Sequence, residues 1–91
     1  MNEKQFFYYL GYVKVSTCKI KILKSLEKGI KMPTEIAKDT NLGETQVSNT
    51  LSNLKKNNLV VCLNEELSKG RLYQITDNGK EIVDYLNKEN K

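Results

Sequence analysis

The sequence predicts a single small domain that is mainly α-helical and carries one small β-hairpin. Three observations support this fold class. The chain has 91 residues, a length at which folding buries roughly 60% of the unfolded surface and builds one core. Apolar residues recur at helical spacing in several segments that are flanked by capping residues. After Asn57 and Asn58 the pattern changes to two apolar runs separated by a polar turn.

The first two predicted helices precede residue 30. One helix is predicted over residues 2–10, where Asn2 and Gln5 have the spacing of a capping box and Gly11 is placed to end the segment. Five of the seven aromatic residues lie in the first twelve positions, so this segment must pack either on the rest of the domain or on a second copy of the chain. A second helix is predicted over residues 16–28, with a serine as its cap and a glycine after its end.

Two further helices are predicted to meet across a tight turn. Pro33 suits the first turn of a short helix with the body TEIAKDT. Residues 41–43, Asn-Leu-Gly, break the pattern, and a helix over residues 44–57 follows. The apolar stripe of this helix has the spacing i, i+4, i+7 and consists of Val47, Leu51 and Leu54.

The remainder of the chain predicts a hairpin and a last helix. LVVCL and RLYQI are typical of strands, and NEELSKG is typical of the turn between them. Thr76 is placed to cap a helix from Asp77 to about Asn87. Because there is no internal repeat and no linker, residues 1–91 are predicted to form one domain.

Charge is distributed unevenly along the chain. With 15 basic and 11 acidic residues, the net charge is +4. Residues 1–58 contain ten lysines and five acids, a balance of +5, whereas residues 59–91 contain five bases and six acids, a balance of −1. The middle of the chain therefore carries a basic surface, which is compatible with a polyanionic partner but is also common in proteins that bind none.

The composition argues against several other classes of protein. The chain has no histidine and only two cysteines, Cys18 and Cys62, without a CxxC pair. This excludes thiolate–imidazole metal sites and His-based acid–base catalysis, so we expect no metal, no cofactor and no enzymatic activity. The cysteines are either small core residues, the more frequent case in a reducing compartment, or a disulfide pair. The sequence contains no apolar stretch of membrane-spanning length and no signal peptide, and we expect a cytoplasmic protein that does not bind membranes.

One face of the predicted helix 44–57 is polar and nearly uncharged. Solvent-facing helix surfaces are usually rich in Glu and Lys, whereas this face consists of short amide and hydroxyl side chains that are poor helix formers. Such groups are suited to reading base edges in the major groove of DNA. The alternative is an ordinary polar surface in a sequence rich in Asn and Ser. The candidate base-reading residues are Thr45, Gln46, Ser48, Asn49, Ser52 and Asn53.

Basic residues near this face are candidates for contacts with DNA phosphates or with the minor groove. They are Lys31, Lys55, Lys56, Lys69 and Arg71. For the lysines at the end of the helix, the alternative is a solvated terminus that complements the helix dipole. For Arg71, the alternative is a plain surface residue of a strand.

Both the order of the elements and particular segments resemble the winged helix-turn-helix domain of archaeal and bacterial regulators of the ArsR-like and MarR-like type. STCKIKILKSLEKG looks like their first core helix, MPTEIAKDTNLGETQVSNTLSNLKKNNLV like their helix-turn-helix, and SKGRLYQITDNGKEIVDYL like their wing and following helix. On this basis the chain divides into an N-terminal aromatic helix (1–12), a winged helix core (16–76) and a C-terminal helix (77–91).

The resemblance implies a sequence-specific transcriptional regulator that binds double-stranded DNA. Helix 44–57 would lie in the major groove, and the wing 64–71 would lie on the backbone or in the minor groove. Asn49 stands where many relatives carry Arg, which removes a strong guanine or phosphate contact. The Cys and His ligands of metal-sensing relatives are absent, so we expect no metal response. The alternative function is a winged helix that docks on other proteins and does not bind DNA.

A homodimer is expected, because a single copy offers only one recognition helix. The aromatic first segment and the last helix are the expected places of contact between the two copies. The candidate residues are Phe6, Phe7, Tyr9, Leu10 and Tyr85. The alternative is that the aromatic side chains cap the core of their own chain.

Overall fold

The computed structural model describes residues 1–89 and confirms the predicted fold class. A two-stranded antiparallel hairpin interrupts a series of five helices. In chain order the elements are α1 (Glu3–Lys14), α2 (Thr17–Glu27), α3 (Pro33–Thr40), α4 (Glu44–Lys56), β1 (Val60–Cys62), β2 (Tyr73–Ile75) and α5 (Asp77–Glu89). The last two residues of the predicted C-terminal helix, 90 and 91, lie outside the described residues.

Helix α1 is longer than the sequence predicts. Its capping box is as predicted, since the backbone N–H of Gln5 donates to Asn2 Oδ1 at 2.8 Å and that of Asn2 donates to Gln5 Oε1 at 3.2 Å. The prediction that Gly11 ends the helix was wrong, because Gly11 lies inside it and the helix continues to Lys14. The added turn buries Val13, and the burial of an apolar side chain outweighs the low helix propensity of glycine.

The predicted caps of the next helices mostly agree with the structure. Ser16 Oγ accepts a hydrogen bond from the backbone N–H at the start of α2, and Pro33 is the first residue of α3. Asn41 turns the chain out of α3 in the left-handed conformation, with φ 59°. Gly43 is the N-cap of α4. The side chain of Glu44 therefore does not cap α4, although its charge complements the helix dipole.

The hairpin has shorter strands than its apolar runs predict. Val60 pairs with Ile75 and Cys62 pairs with Tyr73 in antiparallel register. An isolated bridge joins Lys31 to Tyr73, with N···O distances of 2.9 and 3.1 Å. The hairpin is thus attached directly to the segment that leads into α3.

Thr76 links the hairpin to α5. Its hydroxyl donates to the backbone carbonyl of Asn58 at 2.7 Å and accepts from the backbone N–H of Gly79 at 3.1 Å. The predicted cap of the last helix is therefore confirmed.

The core forms around α2, which packs against the other four helices and β2. Lys19 lies on a side of α2 that otherwise faces apolar neighbours, and its Nζ is 3.6 Å from the centroid of the Tyr12 ring. Cys18 is half-buried and Cys62 is buried, and both are free thiols. The completely buried apolar residues are Val13, Ile22, Leu23, Ile36, Val47, Leu51, Leu54, Leu59, Ile82 and Val83.

Candidate nucleic-acid interface

Helix α4 is held to the core along one side and is open to solvent along the other. Its apolar stripe has no exposed surface. Side chains on the opposite side of a helix point away from such a stripe, and all six candidate base-reading residues are exposed. We call these six residues the polar face of α4: Thr45, Gln46, Ser48, Asn49, Ser52 and Asn53.

The polar face has the hydrogen-bonding chemistry that base edges require. It carries amides and hydroxyls without a charged group among them, and these groups both donate and accept hydrogen bonds. Since Thr, Asn and Ser are poor helix formers, α4 depends on the burial of its apolar stripe. One member of the face contacts another helix, because Gln46 Nε2 donates to Cys18 Sγ of α2 at 3.5 Å.

A cleft of about 460 Å³ lies beside the polar face. It separates α4 from residues 64–71, which connect the two strands and which we call the hairpin loop. Ser48 and Ser52 line the cleft from α4, and Thr34 lines it from the first turn of α3. Lys69 and Arg71 line it from the hairpin loop. Polar groups of three elements therefore surround one concave surface next to the predicted reading face.

The structure divides the five predicted DNA-contacting cations into two groups. Lys56 and Lys69 are exposed, and neither has a carboxylate within 4.0 Å among residues 1–89. The other three, Lys31, Lys55 and Arg71, have partners within the chain. The free cations lie at the end of α4 and in the hairpin loop, and Lys69 lines the cleft beside the polar face.

Lys55 pairs with a carboxylate of the hairpin loop. Its Nζ lies 2.5 Å from Glu65 Oε1. This hydrogen bond lowers the pKa of the Glu65 carboxyl and raises the pKa of the Lys55 ammonium. The pair joins the last turn of α4 to the hairpin loop, so the Lys55 ammonium already has an anionic partner within the chain.

Lys31, which precedes α3, bonds to residues of α2 and α3. Its Nζ donates to the backbone carbonyl of Ser25 at 2.8 Å and lies 2.9 Å from Asp39 Oδ2. Hydrogen bonds from the Ser25 hydroxyl and from Lys31 lower the pKa of Asp39 to about 2. These contacts give Lys31 a structural role, and its predicted contact with phosphate would require them to break.

Arg71 is folded onto the hairpin loop. Its Nε donates to the backbone carbonyl of Leu67 at 2.6 Å, and a terminal guanidinium nitrogen donates to the carbonyl of Glu65 at 3.2 Å. Its guanidinium therefore fixes the loop and does not extend from it.

Asn64 is a structural residue of this region that the sequence analysis missed. Its Oδ1 accepts from the backbone N–H of Leu72 at 2.8 Å, and its Nδ2 donates to the carbonyl of Gly70 at 3.1 Å. The signal was present in the sequence, since an Asn directly after an apolar run such as LVVCL is typical of side-chain-stabilised turns.

The five candidate dimer residues differ in burial. Leu10 belongs to the core of its own chain. Phe6 packs edge to face on Tyr85, with ring centroids 5.5 Å apart, and on Phe7 at 5.3 Å. Phe7 and Tyr85 remain 51% and 37% exposed, whereas Tyr9 is half-buried. An aromatic surface thus extends from α1 to α5.

Residues 1–89 contain no group of three or more His, Cys, Asp or Glu side chains that could hold a metal ion. None of their helices is long and apolar enough to cross a membrane.

Comparison with known proteins identifies a family and several similar folds. A family model described as winged helix-turn-helix matches residues 17–91. A comparison with curated proteins finds no match.

Three similar solved structures are informative about the fold. TubR from Bacillus thuringiensis serovar israelensis, bound to 24 bp of tubC, is 16% identical, with a TM-score of 0.79 over 98% of this chain and 96% of that chain. A MarR family transcriptional regulator from Silicibacter pomeroyi is 22% identical, with a TM-score of 0.74 over 88% of this chain and 53% of that chain. The chain thus spans about half the length of this regulator.

The third structure is the homodimeric winged helix-turn-helix DNA-binding domain of Mb0332 from Mycobacterium bovis, a possible ArsR-family regulator. It is 23% identical, with a TM-score of 0.64 over 90% of this chain and 72% of that chain.

Proposed function

The chain belongs to the winged helix-turn-helix family, and from this membership we propose that it is a transcriptional regulator that binds double-stranded DNA in a sequence-specific manner. Helix α4 enters the major groove and the hairpin loop forms the wing, which follows the adjacent backbone. The observation that carries the proposal is the polar face of α4, whose six amide and hydroxyl side chains are all exposed.

Helix α4 has a suitable size for this role. Its 13 residues correspond to a length of about 20 Å, and the major groove, about 12 Å wide, admits one helix. Asn49 lies near the centre of the polar face and has the amide geometry that pairs bidentately with adenine. Thr45 and Ser52, one turn away on either side, supply hydroxyl groups that can form hydrogen bonds with several base edges.

The exposed cations supply the sequence-independent part of the affinity. Lys56 at the end of α4 and Lys69 in the hairpin loop are free to bind phosphates on either side of the groove. Because the Arg71 guanidinium is bonded to carbonyl groups of its own loop, we expect the loop to contact the backbone and not the minor groove.

A homodimer completes the proposal. One recognition helix reads few base pairs, and a second copy doubles the sequence that is read. The Mycobacterium bovis neighbour is homodimeric. The TubR neighbour is bound to 24 bp of DNA, a length that accommodates two half-sites about one helical turn apart.

The salt dependence of duplex binding tests this function. We expect the affinity of the wild-type protein to fall steeply with salt, because each phosphate contact releases a counterion. Lys56→Ala should weaken binding to all sequences and reduce the slope of log K against log salt by about 1. The matched control is Lys80→Ala, which removes the same charge from a groove that shares no lining residue with the cleft beside the polar face. Binding that is absent, or that does not depend on salt, would instead favour a protein-docking module.

A further inference from the structure

The ion pair between Lys55 and Glu65 lies at the edge of the proposed DNA-binding surface. On α4, Lys55 follows Ser48 and Ser52 along the side that faces the hairpin loop. Both partners are accessible, since the side chains of Lys55 and Glu65 are 38% and 58% exposed. A phosphate that approached α4 from this side would find the Lys55 ammonium already paired with the Glu65 carboxylate.

The position of Glu65 is fixed by contacts other than its pairing with Lys55. The backbone carbonyl of Glu65 accepts from Arg71, and the side chain of Asn64 bonds to Leu72 and Gly70 across the hairpin loop. The backbone N–H of Leu63 donates to the carbonyl of Leu72 at 2.8 Å. These contacts fix the backbone of Glu65 independently of the ion pair, at a place from which its carboxylate reaches Lys55.

We propose that Glu65 is an intramolecular competitor of DNA phosphate: its carboxylate occupies a phosphate-binding position on Lys55 and lowers the affinity for duplex DNA without changing base preference. This inference rests on the proposed function. A carboxylate and a phosphate offer the same anionic oxygen acceptors to an ammonium group. Because the carboxylate belongs to the same chain, its effective concentration near Lys55 is high, so the ion pair persists when DNA binds and the wild type makes one phosphate contact fewer than it would without Glu65.

The matched pair Glu65→Gln and Glu66→Gln tests the proposal. Both substitutions remove one negative charge from the hairpin loop, but among residues 1–89 Glu66 has no cation within 4.0 Å. We expect Glu65→Gln to bind duplex DNA more tightly than Glu66→Gln, with a slope of log K against log salt that is steeper by about 0.9. The advantage of Glu65→Gln should then shrink by roughly 3.5-fold between 50 and 200 mM salt.

Adding Lys55→Ala identifies the residue that the carboxylate masks. In the Glu65→Gln background, Lys55→Ala should remove the whole gain in affinity, whereas in the wild type it should have a small effect. A gain that persists without Lys55, or equal binding by the two glutamine variants, would refute the proposal. Weaker binding by Glu65→Gln would also refute it, because the ion pair would then serve to position the loop.

The outcomes separate this inference from the proposed function. If the wild type binds no duplex at any salt concentration, both fail. If the wild type binds with a steep salt dependence and Glu65→Gln matches Glu66→Gln, only the competition by Glu65 fails. Equal melting temperatures of the variants exclude loss of folding as the cause.

Discussion

The Asp39 carboxylate lies between two lysines, 3.6 Å from the Nζ of Lys28 and 2.9 Å from that of Lys31. The Ser25 hydroxyl and Lys31 stabilise its charged form, and its pKa is about 2 instead of the usual 3.8. Because the folded state holds the proton less tightly than the unfolded state does, this group stabilises the fold above the unfolded pKa.

The stabilisation by Asp39 should be lost as the pH falls from about 4 to about 2. Asp39→Asn should therefore be less stable than the wild type at pH 6, and the difference should disappear toward pH 2. Chemical denaturation at several pH values measures this. Asp84→Asn on α5, which has no cation within 4.0 Å among residues 1–89, is the control. A difference that is constant with pH would contradict the assignment.

Single residues divide into those whose environment a local pattern predicts and those that depend on distant partners. The exposure of Thr45 and Asn49 follows from helical periodicity, because the position of Val47 in the core determines which side of α4 faces outward. The pairing of Lys55 with Glu65 depends on how the hairpin folds back on α4, and no local pattern contains that information.

Close packing joins α5 to the hairpin. At Gly79, a Cβ atom would lie 2.3 Å from the backbone oxygen of Leu59 and 2.7 Å from Ile75 Cγ1. At Gly11, in the middle of α1, a Cβ atom would meet no atom within 4 Å. A side chain therefore has no room at Gly79 but has open space at Gly11.

Alanine should have opposite effects at these two positions. We expect Gly79→Ala to destabilise the protein by about 1 to 3 kcal/mol, because the methyl group forces α5 away from the hairpin. Gly11→Ala should stabilise it by about 0.5 to 1 kcal/mol through higher helix propensity. Equilibrium urea denaturation measures both changes. Equal effects of the two substitutions would show that the contact at Gly79 is not tight.

The sequence predicts which helices and strands form, but it predicts less well the residues at which they begin and end. Caps at Asn2, Ser16 and Thr76 are local signals, and the structure confirms them. Gly11 was misread as a helix end, since burial of Val13 in the tertiary fold extends α1. The strands are short because Asn64 and Arg71 hold the adjacent residues in a loop; the sequence carried a turn signal at Asn64 but none for the bonds of Arg71 to its own loop.

At the scale of the whole molecule, the aromatic surface of α1 and α5 is the expected place of dimer contact. Phe7 is 51% exposed, and it packs on Phe6, which packs on Tyr85. Exposed aromatic rings in one patch are typical of protein interfaces.

If the proposed dimer forms through this surface, Phe7→Glu should convert it to a monomer without unfolding the chain, because a charge in an apolar contact is costly to bury. Sedimentation velocity measures the change in mass. Val61→Glu, at a comparably exposed apolar position on the hairpin, should leave the dimer intact. If the wild type is already monomeric, or if Phe7→Glu remains dimeric, the contact lies elsewhere or does not form.

The reading of bases by the polar face of α4 can be measured by selecting bound duplexes from a random-sequence library. The affinities of wild type and Asn49→Ala for the selected sequence and its single-base-pair variants are then compared. We predict that the wild type enriches a defined sequence and that Asn49→Ala loses about 1 to 3 kcal/mol of discrimination at one position only. Enrichment of no sequence by the wild type, with equal affinity for every duplex, would contradict base reading by α4.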